Sequence, residues 1–443
     1  MSGADKIAKP MSLFQRIGRV FGGKKKDLPK IDYLRPGDDI FDLSAHSAPL
    51  RAFDVEQLEI PEPSPLDCNK PTLSLINGDA AKVISLDEAA IDRQDFLDNH
   101  KELTVDLLAQ SLNLRVLAEL ADRPRVGLVE RDEPTSDLSF LGDFHGNVPR
   151  FAYFLRLLLP AIRAGEEELH SLGDLLHAER EENVFNVAAS LKLAKAFMML
   201  GWLFPERVSL YTGNHDIFCP TEGHFKAVMD FIEMNCLGTI FDLSNHLLQE
   251  GYLTEESEPW EMLATKKNVP QSYLNLHYIC LALSEQGVER AKIWNIIQLL
   301  QGYYDTCPKA LKIKNLFAAH SFPTGATSLE QLRAINDPEM QALRNSLIFS
   351  RFAKERDPED LKSFTPDDIE GFMAATGVEH FVLGHTKPDN SWINQPVPST
   401  SIITSNGIGF GRLRFARGED GAFALQECPV LRYEMPPDTI ISH

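Results

Sequence analysis

Short, partly apolar runs, each closed by glycine or by a single polar residue, punctuate the chain from residue 137 onward. Residues 138–141 stop at Gly142, EELHSLGD ends its run at Gly173 and Asp174, and RVSLYT stops at Gly213. Residues 316–319 lead directly into His320, and 381–383 stop at Gly384. Runs this short predict strands buried on both faces. Between the first three lie longer stretches with helical spacing, 151–162 (FAYFLRLLLPAI) and 184–203. The pattern therefore predicts β-α-β-α-β over 137–213, a mainly parallel core with its helices as crossovers. Upstream, Leu103, Leu107, Leu108, Leu112, Val116, Leu117 and Leu120 recur at helical period and predict one or two helices within 87–121. The apolar stretch FMMLGWLF is far shorter than the ~20 residues of a membrane span. No internal repeat is present.

Composition bounds the function. The 443 residues include 44 Lys+Arg against 64 Asp+Glu, a net charge of −20. That balance argues against a dedicated binder of duplex nucleic acid. Length and 43% apolar content fit two or three domain-sized units, or one catalytic domain with extensions. Residues 1–30 differ, with Lys6, Lys9, Arg16, Arg19, Lys24, Lys25, Lys26 and Lys30 against Asp5 and Asp27. Leu13, Phe14, Ile17, Val20 and Phe21 sit among them at helical spacing. A mobile basic tail is the plainer reading; an amphipathic helix touching an anionic membrane through residues 1–26 is the other. Residues 31–70, rich in Pro and Asp, read as a linker or draped segment. Cys68, Cys219, Cys236, Cys280, Cys307 and Cys428 are scattered without a C-x-x-C pair, as expected of reduced thiols in a cytoplasmic protein.

The polar residues at the ends of the apolar runs carry the chemistry. They are Asp143 and His145, Asp174, Asn214 with His215 and Asp216, His320, and His385. Any one alone would read as a turn former or a core histidine. Five in succession, each after a strand, instead place hard oxygen and borderline nitrogen donors at one sheet edge. Without a thiolate, that donor set suits Mn, Fe or Zn of a catalytic kind. Six donors are too many for one ion with an open position but suffice for two ions about 3.5–4 Å apart sharing a carboxylate. His46, His100, His170, His224, His246, His277, His380 and His443 belong to no such motif. The glycines of GIGFG, 407–411, read as turn and bulge residues before a hairpin.

The ordered set D-x-H, G-D, G-N-H-[DE], H and G-H over 137–428 resembles the calcineurin-like metallophosphoesterases. FPERVSLYTGNHD and HSFPTGATSLEQLRAINDP resemble the phosphoprotein-phosphatase branch, of the serine/threonine phosphatase type. The resemblance implies an α/β fold, a metallophosphatase-type β-sandwich of two mixed sheets flanked by helices. Its domain would span 136–430, with an N-terminal extension at 31–135, a helical insert at 221–312 and a C-terminal tail at 431–443. It further implies that Asp143, His145 and Asp174 hold one divalent metal, and Asp174, Asn214, His320 and His385 a second. His215 would be the general acid, and a hydroxide shared by the metals would attack phosphorus. The implied activity is hydrolysis of a phosphomonoester, with a phosphoprotein or small phosphoester as substrate. The alternatives are a hydrolase of nucleotides such as dinucleoside polyphosphates, and a catalytically silent binding module.

Three departures qualify the resemblance. Lys387 stands where diesterases of the superfamily have a second histidine after G-H. GDLLHAER replaces G-D-x-x-D-R-G, so His177 occupies the place of the aspartate that orients the acid, and Arg180 comes two positions late. Arg180 is carried as the phosphate-gripping catalytic arginine, with Glu179 or Asp216 as the acid's substitute partner. Finally, Asn214 and His320 are unusually far apart in sequence. The aromatics of the intervening insert, Trp260, Tyr273, Tyr278, Trp294, Tyr303 and Tyr304, read as core, with a cap over the metal site as the sharper alternative.

Overall fold

Capped short helices open the described part of the chain. The structure, a computed structural model, describes residues 83–176, 187–216, 222–235, 271–355, 363–386, 392–405, 410–419 and 422–430. The basic tail, residues 31–82, His177, Glu179, Arg180, Trp260, Lys387 and the tail 431–443 lie outside the described residues, as do 406–409 of GIGFG. Helices α1 (Arg93–Asn99), α2 (Val105–Ser111) and α3 (Leu114–Ala121) replace the one or two expected. The extra break has a local cause. Leu112 is extended, and the Asn113 side chain accepts the Val116 N–H, starting a new helix where leucine periodicity alone runs on.

The predicted β-α-β-α-β order follows. After β1 (Leu128–Arg131) come β2 (Asp137–Leu141), α4 (Val148–Ala164), β3 (Glu167–Ser171), α5 (Val187–Leu203) and β4 (Val208–Leu210). Strand β3 pairs in parallel with both β2 and β4. The insert contributes α6 (Glu222–Asn235), α7 (Gln271–Glu285) and α8 (Arg290–Thr306). Its final residues are not helical: β5 (Ala310–Ile313) enters a sheet and turns back as β6 (Leu316–Ala319). Next come α9 (Leu329–Arg333), α10 (Gln341–Phe349), the short β7 (Arg351–Phe352) and β8 (Ser363–Phe364), and α11 (Pro366–Thr376). Strands β9 (His380–Leu383), β10 (Ile393–Val397), β11 (Thr400–Ile403), β12 (Gly411–Arg417) and β13 (Phe423–Pro429) finish the fold, the last two forming the expected hairpin.

Two mixed sheets result, flanked by helices. One has six strands in the order β1-β5-β6-β9-β11-β10; the other has five, β13-β12-β2-β3-β4. Alternation along β6 and β9 explains why their sequences are continuously apolar. Leu316, Ala318 and Val382 join Leu138, Phe140 and Phe415 of the other sheet in one core. Phe317, Ala319, Phe381 and Leu383 point the opposite way, into a second core with Phe322, Phe364 and Phe372. Both faces are buried, so no polar alternation survives.

An ion pair also joins the sheets. The Arg131 guanidinium of β1 donates to both carboxylate oxygens of Glu168 on β3, at 2.8 and 2.6 Å. Burial of Glu168 favours its neutral form, but hydrogen bonds from His170 and Arg131 outweigh this and hold its pKa well below the usual carboxylate range. His170, expected to be ordinary, lies in this buried core with its Nδ1 3.1 Å from the Tyr211 hydroxyl. Cys280, Cys307 and Cys428 are free thiols. Among the described residues no helix is long and apolar enough to cross a membrane.

Candidate metal centre

Five loops converge at the carboxyl ends of β2, β3, β4, β6 and β9, three strands of one sheet and two of the other. Glycine makes the approach possible. A Cβ on Gly213 would fall 2.1 Å from Asp174 Oδ1, and one on Gly384 would fall 2.5 Å from Asp143 Oδ1. Any side chain at either position would displace the carboxylate beside it. The polar residues themselves are bent to fit. Among the described residues, four that are not glycine have positive φ, and three are His145 (45°), Asp174 (54°) and His385 (62°). Such conformations cost about 1–3 kcal/mol each and cluster at functional sites.

All seven of the described candidates are brought together. One group unites His145, Asp174 and His215, and a second unites Asp174, His320 and His385, with ligand atoms within 4.8 Å of one another. Asp174 belongs to both. Its Oδ2 lies 3.8 Å from His145 Nε2, 3.6 Å from His320 Nε2 and 4.0 Å from His215 Nε2. Asn214 Oδ1 is 3.2 Å from His320 Nε2, and His385 Nδ1 is equally close to the same nitrogen. Asp143 Oδ1 lies 3.8 Å from His320 Nδ1, and its carboxylate accepts the His385 backbone N–H at 3.0 Å. His215 is nearer the donors than its expected place outside them suggested: its ring meets that of His145 edge-on at 4.9 Å.

Hydrogen bonds fix which ring nitrogens face the cleft. His320 Nδ1 is 2.6 Å from the Leu172 carbonyl, so Nδ1 carries the proton and Nε2 presents its lone pair. The His385 ring likewise bonds the Phe349 carbonyl. Burial lowers the pKa of both imidazoles and keeps them neutral; at His385 the neighbouring His320 adds to the effect. Lone pairs of Asn214, Asp174, His320 and His385 therefore point at one another across less than 4 Å. Electron pairs crowded in this way repel unless a cation lies among them, so the donor set fits a divalent metal.

Two features escape sequence reading. The first is the use made of Asp216. Its fully buried carboxylate accepts backbone N–H groups from Asp174 (2.7 Å), Leu175 (3.0 Å), Leu176 (3.2 Å) and Gly213 (3.1 Å). Both oxygens are thus committed to clasping the β3 and β4 loops together, which corrects its reading as a partner for the acid. Burial pushes this carboxyl up in pKa, and the backbone donors pull against that shift. The second is Asn275, on α7 of the insert. Its amide donates to the His215 carbonyl at 2.6 Å, and the His215 N–H donates to Asp174 Oδ1 at 2.9 Å. The candidate acid is held through its backbone from both sides. Nothing in the pattern of α7 marks Asn275, because its partner lies 60 residues away.

No family model matches the chain, and neither does any curated protein. Solved structures do. The chain is similar to a protein serine/threonine phosphatase from Saccharomyces cerevisiae, with 15% identity over 76% of this chain and 96% of that one, at a TM-score of 0.43. It is also similar to a cold-active protein-tyrosine phosphatase of a Shewanella species, with 14% identity over 69% of this chain and 84% of that one, at a TM-score of 0.36.

Proposed function

We propose that the chain is a metal-dependent hydrolase of phosphoric monoesters, of the serine/threonine phosphatase type. One observation carries the reading: carboxylate, amide and imidazole lone pairs from five separate loops face one another in a buried cleft around Asp174. Asp143, His145 and Asp174 would hold one cation, and Asp174, Asn214, His320 and His385 the other. Manganese, iron or zinc suits these ligands. Two such cations supply Lewis acidity and ionise water near neutral pH.

The chain's own residues do the rest. His215, whose Nε2 is 4.0 Å from Asp174 Oδ2 and whose ring meets that of His145, is the proton donor to the leaving oxygen, a role worth about 10²–10⁴ in rate. Asn275 and Asp174 hold its backbone, and Asp216 keeps the β3 and β4 loops in register. His320 and His385, neutral through burial, keep lone pairs available for ligation. Lys387, where a diesterase would carry another histidine, supports a monoester as substrate.

The test is metal analysis of the purified chain together with a substrate panel in Mn²⁺. Two metals per chain are expected, with turnover of p-nitrophenyl phosphate and a phosphoserine peptide. Turnover of bis-p-nitrophenyl phosphate alone overturns the monoester assignment, and diadenosine tetraphosphate as the best substrate moves the site to nucleotides. Activity on none leaves a binding module.

A further inference from the structure

Between α8 and β5 the chain buries a lysine. The Nζ of Lys309 donates to the Thr212 hydroxyl and to the Tyr304 carbonyl, each at 2.9 Å. The Thr212 hydroxyl in turn donates to the Tyr304 carbonyl at 3.3 Å, closing a ring of three groups. The backbone is fixed as well, because the Lys309 N–H bonds the Gly127 carbonyl at 2.9 Å. Among the described residues no carboxylate lies within ion-pair distance of Nζ.

Part of this ring follows from the end of α8. Tyr304 stands in its last turn, and the residue four positions on is Pro308, which has no N–H to give. The Cys307 N–H is taken by the Tyr303 carbonyl. The Tyr304 carbonyl therefore draws donors from outside its helix, and a cation suits that negative end. Thr212 is not explained in this way. Burying an amine carries a desolvation cost that a methionine at 309 would avoid, and burial pushes the pKa of Lys309 down. Charged or neutral, the group keeps two protons to donate, and one goes to the residue at the root of the loop carrying Asn214, His215 and Asp216.

The remainder of that loop has little freedom to absorb a shift. Gly213 packs against Asp174 without room for a Cβ, and its N–H is bound by Asp216. The His215 carbonyl is held by Asn275 of α7. A displaced Thr212 would therefore move Asn214 and His215 with it. We propose that Lys309 is a positioning residue for residues 212–216: by locking Thr212 to the end of α8, it makes the helical insert set where His215 stands. The proposal rests on the reading of His215 as the proton donor of a phosphoester hydrolase.

The test compares the full chain, loaded with Mn²⁺, with Lys309→Met, Thr212→Val, Thr212→Ser and the double variant of the first two. Deuterium exchange of the amides over 212–216 is read alongside metal content, and alongside kcat and KM for aryl phosphates of graded leaving-group pKa. Exchange should quicken by about tenfold in Lys309→Met and Thr212→Val, and kcat should fall about tenfold for poor leaving groups, with KM and metal content unchanged. The ring acts as one unit, so the double variant should lose no more than the worse single variant, and Thr212→Ser, which keeps the hydroxyl, should behave as wild type. Unchanged exchange in Lys309→Met overturns the proposal, as does an unchanged kcat in an active chain or a loss that multiplies in the double variant. A loss of kcat that ignores the leaving group, or that takes metal with it, overturns it too, since Lys309 would then serve the fold alone. Should Lys309→Met fail to fold, Thr212→Val against Thr212→Ser decides by the same readings. Faster exchange in variants of a chain that hydrolyses no phosphoester would sustain the hold of Lys309 on the loop while the hydrolase reading falls.

Discussion

Asp174 is the residue on which both ligand groups depend. One oxygen takes the His215 N–H, and the other lies within 4.0 Å of ring nitrogens from His145, His215 and His320. Its backbone is strained at φ 54° and its N–H is held by Asp216. Asp174→Asn keeps the shape and one acceptor oxygen but removes the charge that two cations would share. Metal content is expected to fall below two per chain, and p-nitrophenyl phosphate turnover by at least about 10²-fold. Mass spectrometry under native conditions reads the first quantity, and full two-metal occupancy in the variant would contradict the shared role.

At the scale of elements, the insert is joined to the site through α7. Asn275 donates to the His215 carbonyl; of the insert's aromatics read as core, Tyr303 and Tyr304 of α8 are buried, whereas Tyr278 and Trp294 are half-buried. Asn275→Ala removes this donor to the half-buried His215 carbonyl. It should lower kcat about tenfold for aryl phosphates with poor leaving groups, hardly at all for good ones, with metal content and KM unchanged. A uniform loss across leaving groups would mean Asn275 does not act through His215. The parts of this arrangement legible in the sequence share a physical cause. Strands β6 and β9 are buried on both faces, so LFAA and FVL appear as unbroken apolar runs, and the glycines before Asp174, Asn214 and His385 stand where a Cβ has no room or the backbone turns left-handed. Strands β1 and β5 are hidden because LVER and ALKI carry charged residues, and because β1 pairs with β5 across a long stretch of chain. Asp216 and Asn275 were hidden for another reason: their partners are backbone groups, which leave no trace in side-chain spacing.

For the whole molecule, acid is the informative stress, because two buried groups respond to it with opposite timing. Glu168, joined to Arg131 across the sheets, has its pKa held far down, so its contribution survives mild acid and is lost only as pH falls through that depressed value. His277 on α7 behaves differently. Its ring packs against Phe231, burial alone pushes its pKa down to about 4, and no charged group among the described residues contributes. The folded chain therefore binds fewer protons than the unfolded chain between pH 6.5 and 4, and stability falls as pH falls through that window. The loss attributable to His277 is about 2 kcal/mol at pH 5 and about 3 kcal/mol at pH 4. His320 and His385 are shifted in the same direction by burial, so the diagnostic is a difference between proteins, not the slope of one. His277→Met fills the same space with an adaptable apolar side chain that does not titrate. Urea unfolding at pH 7.5, 5 and 4 should show wild type losing that much more stability than His277→Met, and parallel losses in the two proteins would mean that His277 accepts its proton without unfolding the packing around α7.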